Sequence, residues 1–211
     1  MVNNRHQGVA LLLVLLFGGI LFYLGTDGFR VFTAEEARVN QLMEEKPQLP
    51  EITLEDSEGQ SYLSSKFKGK YVLMTFFYTA CSTVCPQLER NMERVYDRIP
   101  KTYLGEDIVF LSVSFDTSRD DPATLHSYQK YFKVDGDTWR MVRVPDSVEL
   151  ESLLDVFGVI VIPDNNGNFA HNSAFYLVNR KGALTEVMDY TKVEEAADTI
   201  VALLEQGGGK K

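Results

Sequence analysis

The chain contains two cysteines, and their spacing and surroundings favour chemistry over architecture. Cys81 and Cys85 lie in the segment CSTVCP. Cysteines at this spacing fall on the same side of a helical turn, close enough to form a disulfide or to bind one ion. They follow an apolar run at residues 71–78 and precede a helix-like pattern, and a helix N-terminus lowers the pKa of a thiol. The pair is interpreted as a structural disulfide, a redox dithiol or a two-thiolate metal site, with inert buried thiols as the alternative.

A metal site would need a third ligand, and the chain has three histidines. His6 precedes the apolar N-terminal segment, and His126 falls in a predicted helix, where a solvated or half-packed side chain is expected. His171 stands at the end of a predicted loop that includes residues 163–168, just before a predicted strand at residues 175–178. If that strand lies beside the one at residues 71–78, the His171 side chain can reach the cysteines. Two thiolates and one imidazole form a soft ligand set that suits Cu(I) and Cu(II), whereas zinc normally takes a fourth ligand.

Predicted strands and helices alternate around these residues. The run at residues 71–78 is too apolar for a half-exposed strand, which predicts a central strand covered on both faces. A polar loop follows a second buried strand, and its Asp116 either orients a ligand or caps the turn. The predicted strands are 52–54, 61–63, 71–78, 108–114, 139–144, 175–178 and 183–187, and the predicted helices follow residue 86 and span 122–132, 148–157 and 193–204. This order predicts an α/β domain with a mixed sheet.

The N-terminal segment predicts attachment to a membrane. Residues 8–24 carry no charge, a stretch at the short end of the roughly 17–25 residues that span a bilayer. The sequence after it is a poor match to a cleavage site, which favours an uncleaved anchor over a cleaved signal peptide. Arg5 places the short N-terminal side in the cytoplasm by the positive-inside tendency. The domain is then expected on the periplasmic side of a bacterial inner membrane, or in the mitochondrial equivalent, where disulfides persist.

Length and charge exclude some classes of function. With 211 residues, the chain is expected to form one domain plus extra segments. Its formal net charge is −9, and no run of lysine or arginine is present to follow a phosphate backbone, which argues against nucleic-acid binding. One cysteine pair cannot act as a disulfide scaffold for a domain of this size, so its role is expected to be chemical.

Three segments together resemble the copper-binding proteins of the Sco (SenC/PrrC-like) family, which have a thioredoxin-like fold. They are FFYTACSTVCP, LSVSFDTSRDDP and AHNSAFYLVNRKG. The resemblance implies that Cys81 and Cys85 supply thiolate ligands and His171 an imidazole ligand for copper. It also implies delivery of copper to a cytochrome c oxidase copper centre or another periplasmic copper protein. The chain departs from the family pattern on both sides of His171, and it has Asp116-Thr117 where Asp-Pro is typical.

The predicted organisation follows from the resemblance and the segment patterns. It comprises a cytoplasmic tail at 1–7, a transmembrane anchor at 8–25, a stalk with a short helix at 26–46, a thioredoxin-like domain at 47–206 and a disordered tail at 207–211. A capping-box pattern that begins at Thr33 predicts the start of the stalk helix.

The competing hypothesis is a thiol–disulfide oxidoreductase in which Cys81 and Cys85 act as the redox pair on partner cysteines. A peroxidase, the third hypothesis, would need an arginine or similar stabiliser beside a peroxidatic cysteine, and the sequence fixes no such arrangement.

Overall fold

The computed structural model describes residues 4–25, 33–164 and 166–207. They belong to two compact units, Met1–Gln41 and Leu42–Lys211. The helices are α1 (Asn4–Gly25), α2 (Ala34–Glu45), α3 (Val84–Arg98), α4 (Pro122–Gln129), α5 (Ser147–Val156) and α6 (Val193–Gly207). The strands are β1 (Thr53–Asp56), β2 (Ser61–Leu63), β3 (Tyr71–Phe77), β4 (Ile108–Ser114), β5 (Trp139–Arg143), β6 (Val161–Pro163), β7 (Phe169–His171), β8 (Phe175–Val178) and β9 (Leu184–Met188).

Seven strands form one mixed sheet in the order β2-β1-β5-β4-β3-β8-β9. Strand β4 runs parallel to both β3 and β5, while β8 pairs with β3 in the antiparallel sense. The predicted α/β class with a mixed sheet is therefore confirmed. In the part of the chain that the structure describes, strands β6 and β7 pair only with each other, as a separate two-stranded sheet.

The central strands are buried because helices cover both faces of the sheet. Alternate residues of β3 point to opposite faces, so Leu73 packs with α3 and α6 while Met74 packs in the cluster that includes residues of α4 and α5. Residues 72–77 of β3 and all residues of β4 are buried. The continuous apolar runs predicted this two-sided burial correctly.

The helix predicted after residue 86 is present as α3, and it buries one apolar face. Leu88 and Met92 are fully buried, and the same face continues into a core cluster with α6. The helix begins at Val84, so Pro86 lies within the first turn, where the missing N–H removes no intrahelical bond. The predicted helix at 122–132 was too long, since α4 ends at Gln129.

The segment before β8 differs from its prediction. Residues 164 and 166–168 form the predicted loop, but His171, which was expected at the end of that loop, closes β7, which pairs with β6. Strands of three residues, one of them containing Pro163, are too short for a periodic pattern to reveal. His171 therefore belongs to a β-hairpin and not to a free loop.

The N-terminal unit contains α1 and most of α2. Within α1, His6–Leu24 is long and apolar enough to cross a membrane, by length and composition alone. The capping box at the start of α2 is present, since Glu36 N donates to Thr33 Oγ1 and Thr33 N donates to the Glu36 carboxylate, each at 3.1 Å. Parts of four predicted segments lie outside the described residues, namely 1–3, 26–32, 165 and 208–211.

Candidate metal centre

The two cysteines lie at the turn that joins β3 to α3. Cys81 N donates to Tyr78 O at 3.3 Å, which begins the turn, and Cys85 sits in the first turn of α3. Cys85 N donates to Cys81 Sγ at 3.4 Å. Both residues are free thiols; Cys81 is 7% exposed and Cys85 is fully buried. The helix N-terminus thus directs a backbone donor at the sulfur that is nearer to solvent.

The two thiols differ in acidity for physical reasons. Burial acts to raise the pKa of Cys81, but hydrogen bonds from the Cys85 thiol, the Cys85 backbone and Thr83 outweigh it and leave that pKa below its usual value. Burial and the hydrogen bond to Cys81 raise the pKa of the Cys85 thiol far above its usual value. Cys81 is therefore the first of the pair to become a thiolate.

His171 approaches the pair from β7. Its Nε2 lies 3.6 Å from Cys85 Sγ, and its Nδ1 lies 3.1 Å from the carbonyl oxygen of Asn172. Since a carbonyl only accepts, the Nδ1 position carries the proton and the Nε2 lone pair faces the sulfur. Burial lowers the pKa of His171, with the hydrogen bond to Asn172 opposing it in part. The ring is thus neutral at neutral pH, which is the form that binds metals.

The distance between Cys85 Sγ and His171 Nε2 fits a soft metal ion, but the three candidate ligands do not surround a common point. A metal with sulfur at about 2.3 Å and imidazole nitrogen at about 2.0–2.1 Å, as at zinc, holds those atoms roughly 3.5–3.8 Å apart. The 3.6 Å between Cys85 Sγ and His171 Nε2 is in that range. Within the described parts of the chain, no three His, Cys, Asp or Glu side chains are grouped closely enough to hold an ion together. Cys85 adjoins both Cys81 and His171 and is the centre of the set.

Asp120 supports the cysteine turn, and sequence reasoning missed it. Its fully buried carboxylate accepts from Thr79 N at 2.9 Å, from Thr79 Oγ1 at 2.5 Å and from Ser114 Oγ at 2.5 Å. These bonds join the loop after β4 to the backbone two residues before Cys81. The sequence signal was limited to an aspartate-rich loop, in which Asp116 drew attention instead.

Asp116 has a local role in the structure. It is 3% exposed, accepts from Ser118 Oγ at 2.7 Å and pairs with the Arg119 guanidinium, so its side-chain partners belong to its own loop. Arg119 in turn lies over the rings of Tyr78 and Phe169, with its Cζ atom 5.7 and 5.5 Å from their centroids. The structure therefore favours turn stabilisation for Asp116 over a direct role at the cysteines.

The other two histidines lie on other elements of the chain. His126 lies on α4 with a half-exposed ring, and its Nδ1 is 2.9 Å from the Glu58 carboxylate. The prediction of a solvated or half-packed side chain is confirmed. His6 belongs to α1 in the N-terminal unit.

A mixed sheet covered on both faces, with a cysteine pair at the β3–α3 turn, defines a thioredoxin-like protein. Comparison with known proteins narrows this class. The model of the SCO1/SenC family matches residues 41–205. The chain therefore belongs to the SCO1/SenC family.

Similarity to individual members of the family is distant but extensive. The SCO1 protein homolog of Bacillus subtilis is 25% identical over 145 residues, which cover 68% of this chain and 73% of that protein. The structure of Arabidopsis thaliana ScoI with copper bound has 21% identity and a TM-score of 0.65, and the match covers 74% of this chain and 98% of that one.

A structure of BsSco in which a disulfide switch was identified has 22% identity and a TM-score of 0.66, with 79% and 96% of the two chains covered. BsSco is described as a member of the Sco family of cytochrome c oxidase assembly proteins. At these identities, the two solved structures establish the fold of the domain.

Proposed function

We propose that this chain binds copper through Cys81, Cys85 and His171 and passes it to a copper protein, with a cytochrome c oxidase copper centre as the recipient. The observation that carries the proposal is the 3.6 Å approach of His171 Nε2 to Cys85 Sγ, which brings an imidazole from a distant strand to the thiol pair. Membership of the SCO1/SenC family, and copper in a similar solved structure, support the identity of the metal. Copper is then the cargo of the protein.

The chemistry of the three side chains suits uptake and release. Cys81 has the lower pKa and the greater exposure, so it meets an incoming ion first. Cys85 loses its proton on binding, and neutral His171 donates through Nε2. Release by ligand exchange begins at Cys81, because a partner's ligand can approach that side. Oxidation of the pair to a disulfide removes both thiolates and prevents binding.

A second candidate function is thiol–disulfide exchange with a partner's cysteines. The split in acidity favours it, since Cys81 is suited to attack a partner disulfide and Cys85 to resolve the mixed disulfide. A disulfide switch in BsSco is consistent with such chemistry in a similar protein. The two functions can operate in one molecule, with dithiol chemistry preparing the copper-binding cysteines of the partner.

Anaerobic titration of the full-length chain in detergent tests the copper proposal. The reduced chain is expected to take up one equivalent of copper, and X-ray absorption should show two sulfur ligands and one nitrogen ligand. The oxidised chain, with the Cys81–Cys85 disulfide, is the matched control and should bind none. Absence of copper uptake after complete reduction would refute the proposal.

Replacement of His171 separates the two functions. His171→Ala should lower copper affinity by more than the roughly 10–100-fold that loss of an outer-shell contact costs, since it removes a direct ligand. Disulfide exchange should continue, because the reaction needs only the thiol pair. His126→Ala, which changes a half-exposed histidine on α4, is the control and should leave both activities unchanged. Parental copper affinity in His171→Ala would remove His171 from the site.

We also propose that α1 is an uncleaved single-pass anchor in the inner membrane, or its mitochondrial equivalent, with the cysteine-bearing unit on the periplasmic side. The apolar segment His6–Leu24 and the charge of Arg5 before it support this orientation. The chain should stay in the membrane fraction after alkaline carbonate extraction, and added protease should digest the domain in spheroplasts with intact inner membranes. Release into the soluble fraction would instead indicate cleavage.

A further inference from the structure

The hairpin that carries His171 is attached to the domain by side chains. Among the described residues, strands β6 and β7 pair only with each other, and no backbone ladder joins them to the seven-stranded sheet. An isolated two-stranded hairpin is marginally stable in water. The position of His171 relative to the cysteines therefore depends in part on side-chain contacts between this hairpin and the segments that follow β3 and β4.

Tyr78 provides the polar part of that attachment. It follows β3 directly, three residues before Cys81, and is 3% exposed. Its hydroxyl accepts from Phe169 N at 3.2 Å and donates to Phe169 O at 3.4 Å. One side-chain oxygen thus satisfies both backbone groups of the first residue of β7, two residues before His171.

Aromatic rings pack around this pair of hydrogen bonds. The Tyr78 ring meets Phe169 edge-on at a centroid distance of 5.2 Å, and Phe115 lies 5.4 Å from Tyr78. Phe115 also contacts the His171 ring at 5.0 Å. The rings bury apolar surface, but such contacts tolerate small shifts of β7 along its axis. The Tyr78 hydroxyl bonds to the backbone of one residue and therefore fixes the position of β7.

We propose that the Tyr78 hydroxyl is a positioning group that holds the His171 hairpin against the cysteine turn and thereby sets the affinity of the site for copper. The inference rests on the proposed copper function. Tyr78 itself supplies no ligand to the ion in this proposal. It acts on His171 by fixing the strand that carries it, and removal of its oxygen leaves both cysteines and the histidine in the chain.

The test is a double-mutant cycle on the full-length chain in detergent, with Tyr78→Phe and His171→Ala made singly and together. Tyr78→Phe should weaken copper binding about tenfold. This is the lower end of the roughly 10–100-fold loss of metal affinity that follows removal of a group supporting a metal ligand. In the His171→Ala background, the same substitution should change the affinity less than about twofold, since no imidazole remains to be positioned. Tyr62→Phe, at the opposite edge of the sheet on β2, is the control and should have no effect.

A metal-free measurement distinguishes failure of this inference from failure of the copper proposal. Tyr78→Phe removes the acceptor of Phe169 N, so amide exchange of the β7 segment should become about tenfold faster while β3 and β4 keep their protection. Unchanged exchange at β7 would overturn the inference even if the parent chain bound no copper. If the parent binds copper and Tyr78→Phe binds it equally well, or loses affinity equally in both backgrounds, the inference fails and the copper proposal stands.

Discussion

Replacement of Cys85 by alanine is expected to abolish stoichiometric copper binding, with a loss of affinity of about a thousandfold or more. Cys85 is the residue that adjoins both other ligand candidates: its N–H points to Cys81 Sγ, and its own Sγ lies 3.6 Å from His171 Nε2. Without this thiol, one thiolate and one imidazole remain with no shared neighbour. The measurement is anaerobic copper titration of the reduced variant against a competing chelator.

Cys81→Ala is the matched comparison for this result. It should also lose the stoichiometric complex, but it keeps the adjacent Cys85–His171 pair and should therefore retain more residual affinity than Cys85→Ala. Both changes remove only one sulfur, so circular dichroism of each variant should remain like that of the parent. A Cys85→Ala chain that is folded and binds copper as tightly as Cys81→Ala would show that Cys85 is not the centre of the site.

The central sheet could be predicted because its strands lie between two layers of helices. Such strands are continuous apolar runs, and the predicted strand at 108–114 coincides with β4. The helix after the cysteines could also be predicted from the sequence, since its buried positions recur every three or four residues. Both sequence patterns result from the burial of residues within one element. Each element could therefore be predicted without knowing which strands pair with each other.

The geometry around the cysteines could not be predicted in the same way, because it depends on pairing. Parallel register sets Phe77 of β3 opposite Ser114 of β4, and this places the loop after β4 beside Thr79. Only that register shows why Asp120, and not Asp116, braces the turn. The residue types of the three ligand candidates came from the sequence, and their mutual approach came from the fold.

Glu89 shows a further property that sequence patterns did not indicate. It occupies the position one helical turn after Cys85 on α3 and is fully buried. Ser112 Oγ donates to one carboxyl oxygen at 2.7 Å, and Trp139 Nε1 donates to Ser112 Oγ at 3.1 Å. The other carboxyl oxygen, Oε1, has no hydrogen-bond partner among the described residues. Burial raises the pKa of Glu89 from 4.5 to about 8, with the Ser112 hydrogen bond opposing the shift.

This shift makes the folded state sensitive to pH in a defined direction. Below pH 4.5, both folded and unfolded chains hold the Glu89 proton. Between pH 4.5 and about 8, only the folded chain holds it, so the free energy of unfolding falls as pH rises. The slope is about 1.4 kcal/mol per pH unit for one proton. Above about pH 8, both states are ionised at this residue and the loss is complete.

Glu89→Gln is therefore expected to become more stable than the parent as pH rises, with an advantage that grows by about 3 kcal/mol between pH 4.5 and 7. Glutamine keeps an oxygen that can accept from Ser112 but has no carboxyl proton to lose.

Denaturant unfolding of both chains at several pH values, followed by fluorescence of the single tryptophan, measures the difference. Trp139 is a suitable reporter because it contacts the same serine. Glu205→Gln, on an exposed position of α6, is the matched control. Parallel stability curves for Glu89→Gln and the parent would contradict this prediction, because they would mean that the Glu89 carboxyl is ionised in the folded chain. We expect the protonated form because, among the described residues, only one of the two buried carboxyl oxygens accepts a hydrogen bond.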